Sequence, residues 1–199
     1  RTRAGWSGNV STPNNPLDIT ILDDTNITAT FTQDAYSLTV ITDGNGSVDI
    51  DPDQTTYQYG DVVTLTADPD PGWTFAGWIG DITSSENPLD VTIQDDTTLT
   101  ATFTQDQYSL TVNTVGNGSV GIDPDQTTYV YGDVVTLTAT ADNDWIFAGW
   151  SGDASVYEKP IDKTIMDDTN ITATFTQDGY TLTVNPVSNG SVDICPGVT

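Results

Sequence analysis

Asp49, Asp51 and Asp53 stand at alternate positions of the run Asp-Ile-Asp-Pro-Asp, and Asp61 follows at a Tyr-Gly-Asp turn. Grouped carboxylates are what calcium takes, six to eight oxygens at roughly 2.3–2.6 Å. A second copy of the run keeps Asp123 and Asp125 but has Gly121 in place of Asp49, and the pairs Asp95-Asp96 and Asp167-Asp168 repeat at another turn. The Gly and Glu that an EF-hand needs later in its loop do not fit. Calcium is thus the candidate metal at Asp49, Asp51, Asp53, Asp61, Asp123 and Asp125. The plainer expectation is a set of solvated turn acids, because Asp is itself a turn former. Nothing in the sequence requires a cofactor.

Catalysis has little to work with. The chain contains no histidine, which removes the commonest general base. Paired carboxylates can run acid–base chemistry, but here they recur in copies at turns, where an enzyme has one unrepeated site; the expectation is no enzyme activity. For binding, Tyr57 and Tyr59, and Tyr129 and Tyr131, alternate ahead of a Gly-Asp turn. They are candidates for stacking on a sugar, or equally strand residues whose hydroxyl reaches water. Asn9, Asn26, Asn45, Asn117, Asn170 and Asn189 each open Asn-x-Ser/Thr, the glycosylation acceptor. For Asn45, Asn117 and Asn189 a turn explains the asparagine as well.

Charge narrows the partners. Four basic residues face 29 acidic ones across 199 residues, a formal net charge of −25, and all the acids but Glu86 and Glu158 are aspartate. That field repels phosphate backbones and argues against nucleic acid. It suits cations, glycans, basic surfaces or further copies of the chain. Hydrophobic residues make up 36%, enough for a core, yet no run approaches the ~18 apolar residues of a spanning helix. Cys195 is the only cysteine, so no intrachain disulfide forms; it is a free thiol or pairs with another chain. Arg1 opens the chain and no signal-peptide core follows, so it reads as a mature or excised segment.

These groups have to be carried by strands. Tyr36, Leu38 and Val40 alternate with Ser37 and Thr39; Val63, Leu65 and Ala67, then Leu89, Val91 and Ile93, then Leu99, Ala101 and Phe103 alternate likewise with polar residues. Period two in β-branched and aromatic residues predicts half-buried antiparallel strands. Six are expected, at about 36–41, 47–51, 61–67, 73–78, 89–94 and 97–104, with no substantial helix. Gly-Asn-Gly-Ser at 44–47 and 116–119 predicts tight type I′ hairpins. In Trp-Thr-Phe-Ala-Gly-Trp, Trp73 and Phe75 share a face that Trp78 would miss; a bulge at Gly77 returns it to the core. The same core role is expected of Trp6, Trp145, Phe147 and Trp150.

Tyr36, Tyr108 and Tyr180 recur at an interval of 72 residues, as do Trp6, Trp78 and Trp150, and Phe31, Phe103 and Phe175. Residues 36–107 and 108–179 are complete repeats, 1–35 is the C-terminal part of another and 180–199 the N-terminal part of a further one. Only four residues link Phe103 to Tyr108, which predicts touching units in a semi-rigid rod. The ordered set of Tyr-led strand, GNGSV turn, YGDVVTLTA strand, FAGW motif and closing TATF strand resembles the divergent internalin B-type repeats of bacterial and archaeal surface proteins. The resemblance implies small tandem β-domains, β-grasp-like or sandwich-like, an extracellular or cell-surface location, and a spacer or adhesive role without catalytic residues. Arg1-Thr2-Arg3 departs from Trp73-Thr74-Phe75, Lys163 from Val91, and Cys195-Pro196-Gly197 from Asp51-Pro52-Asp53.

Two functions follow as expectations. One is a structural segment of a surface stalk or filament, with residues 180–199 of one copy supplying leading strands to residues 1–35 of the next. The hybrid would have to lack the Asp-Val-Val-Thr-Leu-Thr-Ala strand or borrow one. The other is an adhesive or carbohydrate-binding module that uses the exposed tyrosines.

Overall fold

The computed structural model describes residues 2–185, and among them no helix occurs. The chain divides into two compact units, Arg1–Gln107 and Tyr108–Thr199. In the first, β1 (Thr2–Gly8) pairs antiparallel with β2 (Ile27–Thr32). There follow β3 (Ala35–Tyr36), β4 (Leu38–Asp43), β5 (Gly46–Asp51), β6 (Tyr57–Gln58), β7 (Val62–Pro69), β8 (Trp73–Gly80), β9 (Leu89–Thr92) and β10 (Thr97–Gln105). The second holds β11 (Leu110–Val115), β12 (Gly118–Asp123), β13 (Val134–Ala141), β14 (Trp145–Gly152), β15 (Ile161–Thr164) and β16 (Thr169–Gln177). The six expected strands of the first complete repeat are all present, together with the short β3–β6 pair.

Each complete repeat is a small two-sheet sandwich. In the first, the sheet β4–β10–β8 faces β5–β7–β9. The alternating apolar residues of both sheets meet in one core of Val63, Leu65, Trp78, Val91, Ile93, Leu99, Ala101 and Phe103, with Leu38, Val40, Val48 and Ile50 packed against it. Ladder hydrogen bonds fix the register and the pleat sends every second side chain inward, so the sequence pattern becomes a packed interior. The second repeat builds the same sandwich from β11–β16–β14 and β12–β13–β15, around Val135, Leu137, Trp150, Ile165, Ile171 and Phe175.

Pairing departs from the all-antiparallel expectation at one place in each repeat. The first long strand lies parallel to the last, β4 beside β10 from Thr97↔Leu38 to Thr102↔Asp43, and β11 beside β16 in the matching register. For this reason the Gly-Asn-Gly-Ser segments are not hairpin turns. β4 and β5 belong to different sheets, and Gly44-Asn45 is the corner between them, as Gly116-Asn117 is between β11 and β12. The positive φ falls on Gly44 (91°) and Gly116 (84°). Gly46 is needed for another reason: a Cβ there would lie 2.6 Å from the Phe103 ring.

Candidate functional site

The parallel pair joins the two ends of each repeat, and the turn before β10 locks it. Asp96 closes that turn, and its carboxylate accepts hydrogen bonds from the Ser37 N–H (2.8 Å) and hydroxyl (2.9 Å). The Thr97 N–H then donates to the Ser37 carbonyl (2.9 Å), starting the ladder. The Ser37 bonds, its backbone N–H foremost, hold the Asp96 carboxyl below the usual carboxylate range. Asp168 and Ser109 repeat the arrangement at β11–β16, with the same lowering. The pairs Asp95-Asp96 and Asp167-Asp168, considered above as metal ligands, are instead turn clips. Asp95 and Asp167 accept from the N–H groups of Asp96 and Asp168.

In the two complete repeats the aromatic motif packs into the core. The register slips between Thr102↔Gly77 and Phe103↔Phe75, so Ala76 is the extra residue and Gly77 takes φ 143°. This bulge turns Trp78 inward, where it is fully buried and its indole N–H donates to the Glu86 carbonyl (2.9 Å). Phe75 meets Trp78 and Phe103 edge-on at 5.2 and 5.8 Å. Trp150, Phe147 and Phe175 repeat this, and Trp73 and Trp145 lie half-buried at the cluster's edge. Trp6 is half-buried, with its N–H on the Asn14 carbonyl.

The candidate calcium ligands do not converge. Asp49 and Asp51 sit two residues apart on the outer side of β5, an extended spacing of about 7 Å. Asp61 caps its own turn by accepting from the Gln58 N–H (2.8 Å). Asp53, Asp123 and Asp125 are exposed. Among the described residues no group of three or more His, Cys, Asp or Glu is placed to hold a metal ion.

Tyr57 and Tyr129 cannot stack on a ligand. Both rings are buried, and each hydroxyl donates to a backbone carbonyl, of Pro52 and Pro124 (2.9 Å), while accepting from Gln54 and Gln126 N–H. Tyr59 and Tyr131 fall in the turns that follow, off the strand pleat, and face solvent. Tyr59, 65% exposed, lines a cleft of about 330 Å³ with Gln33, Asp34 and Tyr36. A second, more apolar cleft of about 710 Å³ lies between β8 and Thr83–Glu86.

Asn9, Asn26, Asn45, Asn117 and Asn170 are all exposed, Asn45 and Asn117 at the inter-sheet corners. Asn9 also accepts from the Asn26 N–H, and Asn170 from the Asn113 side chain. Asn189 and Cys195 lie outside the described residues. Lys163, at the position of inward Val91, escapes burial by carrying its ammonium to the Asp153 carbonyl (2.7 Å).

A family model described as the divergent InlB B-repeat domain matches residues 36–107 and again 108–179. Comparison with curated proteins and with solved structures found no match.

Proposed function

The chain belongs to the divergent InlB B-repeat family, a family of surface-protein repeat domains, and we propose that it is a tension-carrying spacer of an extracellular stalk or filament. The observation behind this reading is the parallel pairing of the first and last long strands of each repeat. A pull on the two ends of a repeat enters β4 at Leu38 and leaves β10 at Gln105, in opposite directions along neighbouring strands. The six-residue ladder is then sheared as a block. A hairpin pulled at its open end would unzip bond by bond. The acidic coat keeps such a segment soluble and discourages sheet edges from associating.

Single-molecule stretching of the chain from its two ends tests this. The expected trace has two discrete events of equal length, each releasing about 240–260 Å of extended chain less the folded span. Smooth lengthening without discrete events would overturn the reading.

The cleft beside Tyr59 favours a second reading, adhesion to a glycan. An exposed ring flanked by an amide and a carboxylate is what a sugar face and its hydroxyls take. Saturable binding on a glycan array, lost in Tyr59→Ala, is the expected result; identical array profiles for the two chains would rule it out.

A further inference from the structure

We infer that the folded chain modifies itself at Asn45 and Asn117. Each asparagine loses its side-chain amide through a cyclic imide closed by the backbone nitrogen of the following glycine. Water then leaves aspartate or β-linked isoaspartate in its place. The chemistry does not depend on the spacer reading.

The reaction asks three things of the fold: an exposed amide, a following residue without a shielding side chain, and a backbone N–H that no hydrogen bond holds. Both inter-sheet corners supply them. Asn45 and Asn117 are exposed, in the short bends that carry β4 into β5 and β11 into β12. Gly46 and Gly118 follow, and neither position admits a larger residue. A Cβ would stand 2.6 Å from the Phe103 ring at one and 2.7 Å from the Phe175 ring at the other. The packing that demands glycine here therefore also uncovers the amide.

The ladder leaves the glycine N–H idle. Hydrogen-bonded and non-hydrogen-bonded residue pairs alternate along two antiparallel strands. The Asp70 N–H donates to the Asn45 carbonyl (3.3 Å), which makes Asn45 a bonding position and Gly46, opposite Pro69, a non-bonding one. Pro69 has no N–H to offer, in keeping with that place. β5 is the edge of its sheet, so the Gly46 N–H points away from β7 with no described strand beyond it. The second repeat has the same pattern: the Asp142 N–H donates to the Asn117 carbonyl (3.3 Å), Gly118 lies opposite Ala141, and β12 is the edge strand.

Other asparagines lack these conditions. Asn9, Asn26 and Asn170 are followed by Val10, Ile27 and Ile171, whose branched Cβ crowds the approach of the nitrogen. Asn87 precedes Pro88, which has no N–H, and both ends of its amide are held by the Ala67 backbone (2.8 and 2.7 Å). Asn189 also precedes a glycine and lies outside the described residues.

In the reaction, base takes the proton from the Gly46 N–H and the nitrogen attacks Cγ of Asn45. The N–Cγ bond forms, the Cγ–Nδ2 bond breaks, and Nδ2 leaves as ammonia with a proton returned from solvent. Water opens the imide at Cγ to give aspartate, or at the backbone carbonyl to give isoaspartate. Nothing is oxidised or reduced. The isoaspartyl product runs the chain through Cγ, one carbon longer, at the corner between the sheets. Either product adds a negative charge close in the chain and ladder to Asp43 and Asp70. The corners thus change with the age of the chain.

The test holds the full chain at mildly alkaline pH, folded in buffer and unfolded in urea, with samples taken while the folded chain's thermal melt is unchanged. Peptide mapping by mass spectrometry locates each exchange of amide for acid, and isoaspartyl methyltransferase labelling identifies the β-linked product. In the folded chain Asn45 and Asn117 should convert within several-fold of their rates in urea, faster as the pH rises, while Asn9, Asn26 and Asn170 stay intact. Isoaspartyl label at the two corners should be lost in the Asn45→Gln, Asn117→Gln chain. Conversion at the corners only in urea would overturn the inference, because the fold would then be protecting the dipeptide. Folded-state rates at Asn45 and Asn117 no higher than at Asn170 would overturn it equally.

Discussion

The Asp96 carboxylate takes both hydrogen-bond donors of Ser37, the N–H at 2.8 Å and the hydroxyl at 2.9 Å, across 59 residues of sequence. This contact joins the turn before the last strand to the start of the first long one. It closes each repeat on itself, and it makes closure depend on the charge of one carboxylate.

The first prediction concerns pH. The folded pKa of Asp96 lies below its ordinary value of 3.8, so the contact adds stability that is complete above about pH 4. That contribution is lost as the pH falls through the lower, folded value. Asp168 behaves alike. Protonating the other acids relieves repulsion, but it does so equally in wild type and variant. The doubly substituted Asp96→Ala, Asp168→Ala chain should therefore melt below wild type at neutral pH, and the gap should narrow as the pH falls below the ordinary carboxylate value. A gap of constant size across a pH series of thermal melts would show that the carboxylate charge plays no part.

A second prediction follows from the corner between the sheets. Alanine at Gly46 would put a methyl 2.6 Å from the Phe103 ring, and at Gly118 one 2.7 Å from Phe175. Overpacking of this kind costs about 1–3 kcal/mol. Gly121, with nothing nearer than 3.9 Å, is the control. Gly121→Ala should be neutral or stabilise by up to about 1 kcal/mol through the unfolded chain. Urea midpoints of the three variants check the contrast.

Two phenylalanines at the same repeat position should answer differently to truncation. Phe103→Ala empties a packed core and should cost about 3–5 kcal/mol. Phe31→Ala removes a ring already in water and should leave the urea midpoint of the complete repeats unchanged. Equal costs would mean that β1–β2 is part of a core.

These contrasts show what the sequence made legible. Alternation at Leu99, Ala101 and Phe103 named the inward face, and the bulge at Gly77 was required because Trp73, Phe75 and Trp78 cannot share a face without it. Those are local rules of the pleat. The Gly-Asn-Gly-Ser corner was misread because the glycines mark a change of direction and not which strand lies across it. The partner, β10, is far away in sequence and is selected by core packing. The same non-locality hid Asp96. Beside Asp95 it reads as half of a metal pair, and only the recurrence of a hydroxyl residue at 37, 109 and 181 with aspartate at 24, 96 and 168 hinted at a contact. Tyr57 and Tyr59 show the limit of treating neighbours alike, since two residues along β6 and its turn separate core from solvent.

The parallel ladder makes a last prediction at the level of single backbone groups. The Thr97 N–H donates to the Ser37 carbonyl. In a parallel pair the bonding residues of one strand alternate, so Thr39 and Ile41 send their N–H groups to β10, while Val40 and Thr42 send theirs away from the sheet. Ile41 and Thr42 are both exposed, so a substitution at either tests the backbone and not the core. Ile41→Pro removes a ladder donor and leaves the Leu99 carbonyl unpaired, a cost of about 1–3 kcal/mol. Thr42→Pro removes an N–H that faces water, as an edge strand tolerates. Under tension the difference should widen, because the shear path runs through the lost bond in one variant and past it in the other. Unfolding force should drop for Ile41→Pro in one of the two events and stay at the wild-type value for Thr42→Pro. Equal drops in both variants would mean that β4 carries no shear and that the resistance lies elsewhere in the sandwich.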